Sequence, residues 1–317
     1  MSWVVPDSRK AGLRLPSQVS YQYRPASPIT SLGLGSWHGT GWRAEHGIGA
    51  RAASPLSREV VLAGTVHAVV TNDDGIGSEG LRMLAHAALR AGWDVTVAAP
   101  DRQASGSGAA MTAVQADGQV VVERHRLPGI ETVPAYAVQA APGFIAFTAV
   151  RGAFGRRPDY LLSGINAGPN TGRAVLHSGT VGAAMTAATY GVRAAAFSLD
   201  VSDPVGTEHW GPASDVALEI LPVLSDVPPG IVLNVNIPGA RSGRIQGIRQ
   251  ARLAEGGAVE LSIIRATAGN LHVTVAETGK QPAPGTDLAL LAAGYAVVTA
   301  IRPVCEVTSA DLPWPAG

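Results

Sequence analysis

Asp73 and Asp74 stand side by side in the stretch VVTNDDGIGSEG, Val69 to Gly80, directly after an apolar, β-branched run. Taken alone, Asp-Asp-Gly is a common turn, because Asp favours Asx-turns and Gly supplies a positive φ. Two further loops of unusual polarity follow apolar runs of the same kind: DRQASGSG, Asp101 to Gly108, and SGINAGPN, Ser163 to Asn170. In an open parallel sheet, ligands bind outside the carboxyl ends of the strands. If these strands are neighbours, the three loops converge. They then bring together oxygen donors: the carboxylates of Asp73 and Asp74, hydroxyls such as Ser105, and side-chain amides such as Asn166. Hard oxygen ligands suit Mg²⁺, Mn²⁺ or Ca²⁺ rather than zinc. A divalent cation also relieves a conflict, since two adjacent buried carboxylates repel and one otherwise gains proton affinity. A fourth segment, HSGTVGAAM, opens a small-residue helix at Ser178, Gly179 and Thr180. The free N–H groups and dipole at such an opening favour an anion, phosphate above all. A cation site beside an anion site points to phosphoryl chemistry.

These residues need a scaffold, and the flanking sequence supplies one. VHAVV reads as a strand, and EGLRMLAHAALRAG as a helix with Leu81, Leu84, Ala85, Ala88 and Leu89 on one face, Ser78 as N-cap and Gly92 as C-cap. WDVTVAAP is the next strand, so the unit is βαβ and its strands pair in parallel. The pattern recurs: AAPGFIAFTAVRGAF as helix, DYLLSG as strand, GTVGAAMTAATYG as helix, RAAAFSL and IVLNVNIP as strands. AVELSIIRATAGNLHVTVAE alternates around Ala-Gly-Asn and reads as a β-hairpin. The expected fold class is α/β: a Rossmann-like, mostly parallel sheet flanked by helices, with a C-terminal β-hairpin extension at about 257–278. Residues 1–60 carry Pro, Gly, Ser, Trp and Arg with no regular period and read as a disordered or loosely attached extension. A translation start nearer Val60 or Val66 is the alternative. The α/β domain occupies 61–317.

Composition narrows the function classes. The 317 residues are 46% hydrophobic and 15% charged, with a formal net charge of zero. That balance argues against a nucleic acid polymer or an anionic membrane as the main partner. The lone cysteine, Cys305, excludes a disulfide framework and a thiolate cluster within the chain, so the expected compartment is the reducing cytoplasm. There is no GxxxxGK[ST], GxSxG or GxGxxG, which removes the main support for P-loop, α/β-hydrolase and dinucleotide-binding readings. His67, His86, His125 and His272 are scattered and read as structural or exposed. His177, beside the anion site, is the exception.

Together, VVTNDDGIGSEGLRML, VTVAAPDRQASGSGAAMT, PDYLLSGINAGPNTG, HSGTVGAAM, LNVNIP and APGTDLALLAAGYAVVTAI resemble the SurE family of stationary-phase survival 5′-nucleotidases, in the family's order and over about Val66 to Pro303. The resemblance implies metal-dependent hydrolysis of phosphomonoesters, nucleoside 5′-monophosphates foremost, in a homodimer or homotetramer. It implies one divalent ion, Mg²⁺ or Mn²⁺, held by Asp73, Asp74, Ser105 and Asn166, with Asp73 and Asp74 also catalytic. Ser178, Gly179 and Thr180 map onto the family's phosphate-contacting segment; Asn72 and Gly75 from the first loop complete the expected phosphate site. Ser107, Asn170, Arg173 and His177 form the expected rim. The chain departs from the family pattern at Ala140 to Ala146, Arg173, His177 and Thr186, all expected to alter the rim and leave the metal set intact. A phosphatase dedicated to one metabolite and a non-catalytic phosphate binder remain alternatives. Which aspartate acts as base or nucleophile stays open.

Overall fold

The computed structural model describes residues 65–200, 209–239, 245–257, 259–267, 270–277 and 281–306. The chain divides at Glu59 and Val60 into two units, and every element below belongs to the second. The extension expected over 1–60 lies outside the described residues. In order the elements are β1 (His67–Thr71), α1 (Glu79–Arg90), β2 (Asp94–Pro100), the short pair β3 (Gln115–Ala116) and β4 (Gln119–Val120), β5 (Val122–His125), β6 (Ala135–Val138), α2 (Pro142–Ala149), β7 (Tyr160–Ala167), a 3₁₀ helix over Gly172–His177, α3 (Gly179–Thr189), β8 (Arg193–Asp200), α4 (Trp210–Ile220) running into a 3₁₀ helix over Leu221–Asp226, β9 (Val232–Pro238), β10 (Ile248–Gln250), β11 (Val259–Thr267), β12 (Asn270–Glu277), α5 (Asp287–Ala292) and β13 (Ala296–Ile301).

Nine strands form one sheet in the order β10-β13-β9-β8-β7-β1-β2-β6-β5. The pairs from β9 through β8, β7, β1 and β2 to β6 are all parallel, and antiparallel partners join only at β13 on β9 and at β5 on β6. The expected mostly parallel α/β sheet is therefore present. Alternation along the strands explains how it is buried on both faces. Ala68, Val70, Val97, Leu162 and Phe197 pack toward α1 and α4 on one side. Val69, Ala98, Leu161, Ala194 and Ala196 pack toward α2 and α3 on the other. Chain order runs outward from β1 through β2 to β6, then crosses back to β7 on the opposite side of β1. The β1/β7 junction is thus the topological switch point, where the crevice outside the strand ends opens. β11 and β12 pair with each other in a separate two-stranded sheet, which is the expected hairpin.

Ser78 stands at the N-cap of α1, but its side chain makes no capping bond. Its hydroxyl is taken instead by Asn72 of the first loop. α3 is built almost wholly of small residues because it lies directly against the second loop. A Cβ added at Gly182 would sit 2.2 Å from the Gly108 carbonyl oxygen and 2.6 Å from the Ala109 nitrogen. Both obstacles are backbone, so neither can swing aside. Gly182→Ala gains about 1 kcal/mol of helix propensity and meets an overpacking cost of about 1–3 kcal/mol. The expected outcome is a net loss of stability in urea titration; an unchanged or raised midpoint would contradict this contact.

Candidate functional site

The first loop is folded by its own side chains. Asn72 is fully buried, and its amide donates to the Gly75 carbonyl at 3.1 Å and to the Ser78 hydroxyl at 2.6 Å. Its Oδ1 accepts from the Gly75 N–H at 3.2 Å. Asn72 therefore holds the loop's shape, and its amide is spent within the loop rather than offered to a phosphate. Backbone bonds then knit this loop to the second: Ile76 N donates to Pro100 O at 2.8 Å and Ala104 N to Asp73 O at 2.7 Å. The third loop joins through Asp74, whose Oδ2 accepts from the Ala167 N–H at 3.2 Å. The three loops do converge, because β2 and β7 are the two neighbours of β1.

Asp73 is only 4% exposed and accepts a short hydrogen bond from the Thr180 hydroxyl. α3 reaches it because residue 179 has no side chain: a Cβ there would lie 2.8 Å from Asp73 Oδ2 and 2.7 Å from Ser107 Oγ. Burial, which penalises the charged form, pushes the Asp73 carboxyl up to about 6. The Thr180 hydrogen bond opposes that shift, and the neighbouring charge of Asp74 adds to it. Burial also raises Asp74, while the bond from Ala167 works against it. The ion pairs formed by side chains among the described residues, Glu79–Arg82, Arg90–Asp215, Asp101–Arg102 and Arg156–Asp159, leave both aspartates uncompensated.

Asp73 is buried and Asp74 half-buried, and the groups around them suit a hard cation. Asn166 donates its amide to the Gly168 carbonyl at 2.7 Å, which leaves Oδ1 as an acceptor. Ser105 is exposed, and its hydroxyl accepts from Gln103 at 3.0 Å. Among the described residues no group of three His, Cys, Asp or Glu side chains gathers, so the donor set is two carboxylates plus neutral oxygens. That composition fits Mg²⁺ or Mn²⁺.

The anion side is built differently from expectation. Ser178 is buried and caps α3, its hydroxyl accepting from the Val181 N–H at 3.1 Å. Thr180 serves Asp73 through its hydroxyl and its backbone amide. Ser107 Oγ is buried beside Gly179 with no hydrogen-bond partner, which makes it an open polar group in the site. Arg173 and His177 are exposed on the 3₁₀ helix leading to Ser178. Asn170 is not a rim residue in its side chain, which donates to Ser198 at 2.8 Å. Thr186 also lies away from the rim: it is buried in α3 and its hydroxyl bonds the Gly182 carbonyl at 2.8 Å. Of the Ala140 to Ala146 segment, Ile145 and Ala146 are core.

Three supporting residues escape a reading based on polar loops. Asn234 and Asn236 are fully buried in β9, and both amides donate to the Asn170 carbonyl, at 2.8 and 2.9 Å. Asn236 Oδ1 also accepts from the Asn170 N–H at 2.7 Å. Their signal was present in LNVNIP, where two asparagines share one face of an otherwise apolar strand. Asp287 is fully buried and accepts from the N–H groups of Gly172, Ala254 and Leu288 at 2.8, 2.9 and 2.8 Å. It thereby fixes the start of the 3₁₀ helix that delivers Ser178.

A doubly wound sheet with an acidic pair at its switch point, facing a helix N-terminus, defines a Rossmann-like ligand-binding protein. The comparisons narrow this further. Residues 68–259 match the family model described as Survival protein SurE. The chain is 35% identical over 240 residues to the 5′/3′-nucleotidase SurE of Shigella dysenteriae, covering 74% of this chain and 89% of that protein. It is 38% identical over 191 residues to the 5′-nucleotidase SurE of Gloeobacter violaceus, covering 58% and 69% respectively. The crystal structure of the SurE protein from Aquifex aeolicus matches with a TM-score of 0.62 at 29% identity, over 76% of this chain and 94% of that one. The chain belongs to the SurE family.

The raised proton affinity of Asp73 has a thermodynamic sign. Its folded value, about 6, exceeds the ordinary 3.8, so the folded metal-free protein keeps this proton to higher pH than the unfolded chain does. For this group, stability is greatest below about pH 4 and falls as pH rises toward about 6, by on the order of 3 kcal/mol. Asp73→Asn is expected to flatten that fall in melts of chelator-treated protein between pH 4 and 7.5. An equally steep fall in the variant would exclude Asp73 as its source.

Proposed function

We propose that this protein is a divalent-metal-dependent phosphomonoesterase whose substrates are nucleoside 5′-monophosphates. The observation that carries the reading is the Asp73/Asp74 pair, one buried and one half-buried, with no cationic side chain paired to either among the described residues, at the switch point and facing the N-terminus of α3. The relatives named as 5′/3′- and 5′-nucleotidases support the reaction class. Asp73, Asp74, Ser105 and Asn166 are the residues that would hold the cation. When bound, the cation supplies charge neutralisation at the phosphoryl oxygens and acidifies a water.

The chain's own residues do the rest by position. Asn72 and the backbone bonds from the Ile76 and Ala104 N–H groups to the Pro100 and Asp73 carbonyls hold the loop that carries both carboxylates before substrate arrives. The Ala167 N–H occupies one lone pair of Asp74 and leaves its other oxygen to orient or accept the proton of the attacking water. Gly179 lets the start of α3 come within contact of the reacting region, where its dipole favours the anionic phosphoryl group. Ser107 contributes a hydroxyl free to donate to a phosphoryl oxygen. Catalysis on this plan is positioning and electrostatics rather than covalent chemistry.

We read the β11–β12 hairpin as a subunit contact, because an isolated two-stranded ribbon is marginal in water. The lone cysteine, Cys305, fits a reducing compartment, and we place the protein in the cytoplasm. Asp74→Asn is expected to lower phosphate release from nucleoside monophosphates in Mn²⁺ or Mg²⁺ by roughly two orders of magnitude or more. Chelation of the wild type should do the same, reversibly. Wild-type-like turnover by the variant would sink the assignment, and tight nucleotide binding with no release in any metal would favour a non-catalytic binder. Light scattering at micromolar concentration should report a dimer or tetramer; a monomer would remove the role given to the hairpin.

A further inference from the structure

A pocket of about 370 Å³ opens on the β6 side of the second loop, within the size range of small-molecule sites. Ser105 and Ser107 are part of its lining. Ser107 Oγ is the unpartnered hydroxyl beside Gly179 and Asp73, so the pocket runs up to the acidic pair and the α3 N-terminus. Ala113, Val114, Ala140 and Ala141 give it apolar walls. Gln139 also lines it, half-buried, and its side-chain amide makes no hydrogen bond among the described residues. Arg102 is a further lining residue, 73% exposed in its side chain and paired with Asp101 at 3.7 Å.

We infer that this pocket is the subsite for the nucleobase of the substrate. The inference rests on the phosphomonoesterase reading and goes beyond it, since phosphoryl chemistry alone needs no such cavity. The chemistry of the lining selects the occupant. Apolar walls of alanine and valine can take the faces of an aromatic ring. An uncommitted carboxamide offers a donor and an acceptor side by side, the pattern that pairs with the edge of a base. The exposed guanidinium of Arg102 can stack on the ring or meet the ribose hydroxyls. A simple alkyl phosphate would leave all of this unused. The pocket also gives a role to part of the departing Ala140 to Ala146 segment: Ala140 and Ala141 present only methyl groups and keep the cavity open.

Two variants and two kinds of substrate test this. Ala140→Trp fills the cavity, and Gln139→Leu keeps its volume while removing the hydrogen-bonding edge. Steady-state kinetics with adenosine 5′-monophosphate should show Ala140→Trp lowering kcat/KM about tenfold or more. Gln139→Leu should raise KM about three- to tenfold with kcat unchanged, the worth of one or two neutral hydrogen bonds. Both variants should turn over glycerol phosphate within about twofold of wild type. Parallel loss on both substrates, or no loss on either, overturns the subsite. Adenosine, which carries no phosphate, separates this inference from the reaction itself. Saturation-transfer NMR should detect its binding to the wild type and lose it in Ala140→Trp. That result stands even if no phosphomonoester is hydrolysed, in which case the reaction reading fails and the base subsite survives. Adenosine binding undiminished in Ala140→Trp overturns the subsite even if phosphate release is as expected.

Discussion

A buried carboxylate beside a half-buried one, with no positive side chain paired to either among the described residues, is the constraint on which this molecule is organised. Burial is the largest cause that pushes Asp73 up to about 6, and it also raises Asp74. A protein could relieve that cost by exposing the pair or by pairing it with an arginine; here Asp73 stays buried, Asp74 is half-buried, and no arginine among the described residues pairs with either. The fold instead surrounds the pair with dipoles: a threonine hydroxyl and amide for Asp73, and a strand-end N–H for Asp74. Such groups hold a charge in place without cancelling it. The residual demand for positive charge is what the proposed cation would meet.

Keeping those dipoles aimed requires loops that do not move, and the means are consistent around the site. Buried polar side chains tie the first loop, the third loop and the segment before α3 to backbone groups. Asn72 closes the first loop on itself. Asn234 and Asn236 reach from β9 to clamp Asn170. Asp287 gathers three N–H groups at the entrance to the 3₁₀ helix before Ser178. These bonds replace water that the buried loop backbones would otherwise need, and each lost partner would leave an orphaned group costing about 1–3 kcal/mol.

The loops themselves are legible in the sequence because polarity at three strand ends needs no knowledge of distant contacts. Parallel pairing is legible from the strand–helix–strand spacing, and it is what carries Asp73, Ser105 and Asn166 to one crevice. The clamps are harder to see. Asn234 lies 64 residues from the carbonyl it holds, and nothing local to Asn170 announces the partner. Ser78 shows the opposite failure: it occupies a cap position, yet a nearby amide outcompetes the helix for its hydroxyl. Thr186 reads as a surface departure until the tight seating of α3 on Gly108 turns that helix face inward. α4 is obscured by Gly211 and Pro212 in its first turn, where proline is tolerated but the apolar period is interrupted.

The direct backbone contact between α3 and the 106–109 segment has a consequence for how this enzyme class can diversify. Where glycine meets carbonyl, no side chain is available to be exchanged, so the innermost frame admits almost no sequence variation. Arg102, Gln103, Arg173 and His177 carry no comparable structural duty and are exposed. The face is thus divided into a part that selection must preserve and a part it is free to rewrite. New substrates can be acquired at that outer margin while the reacting centre stays untouched.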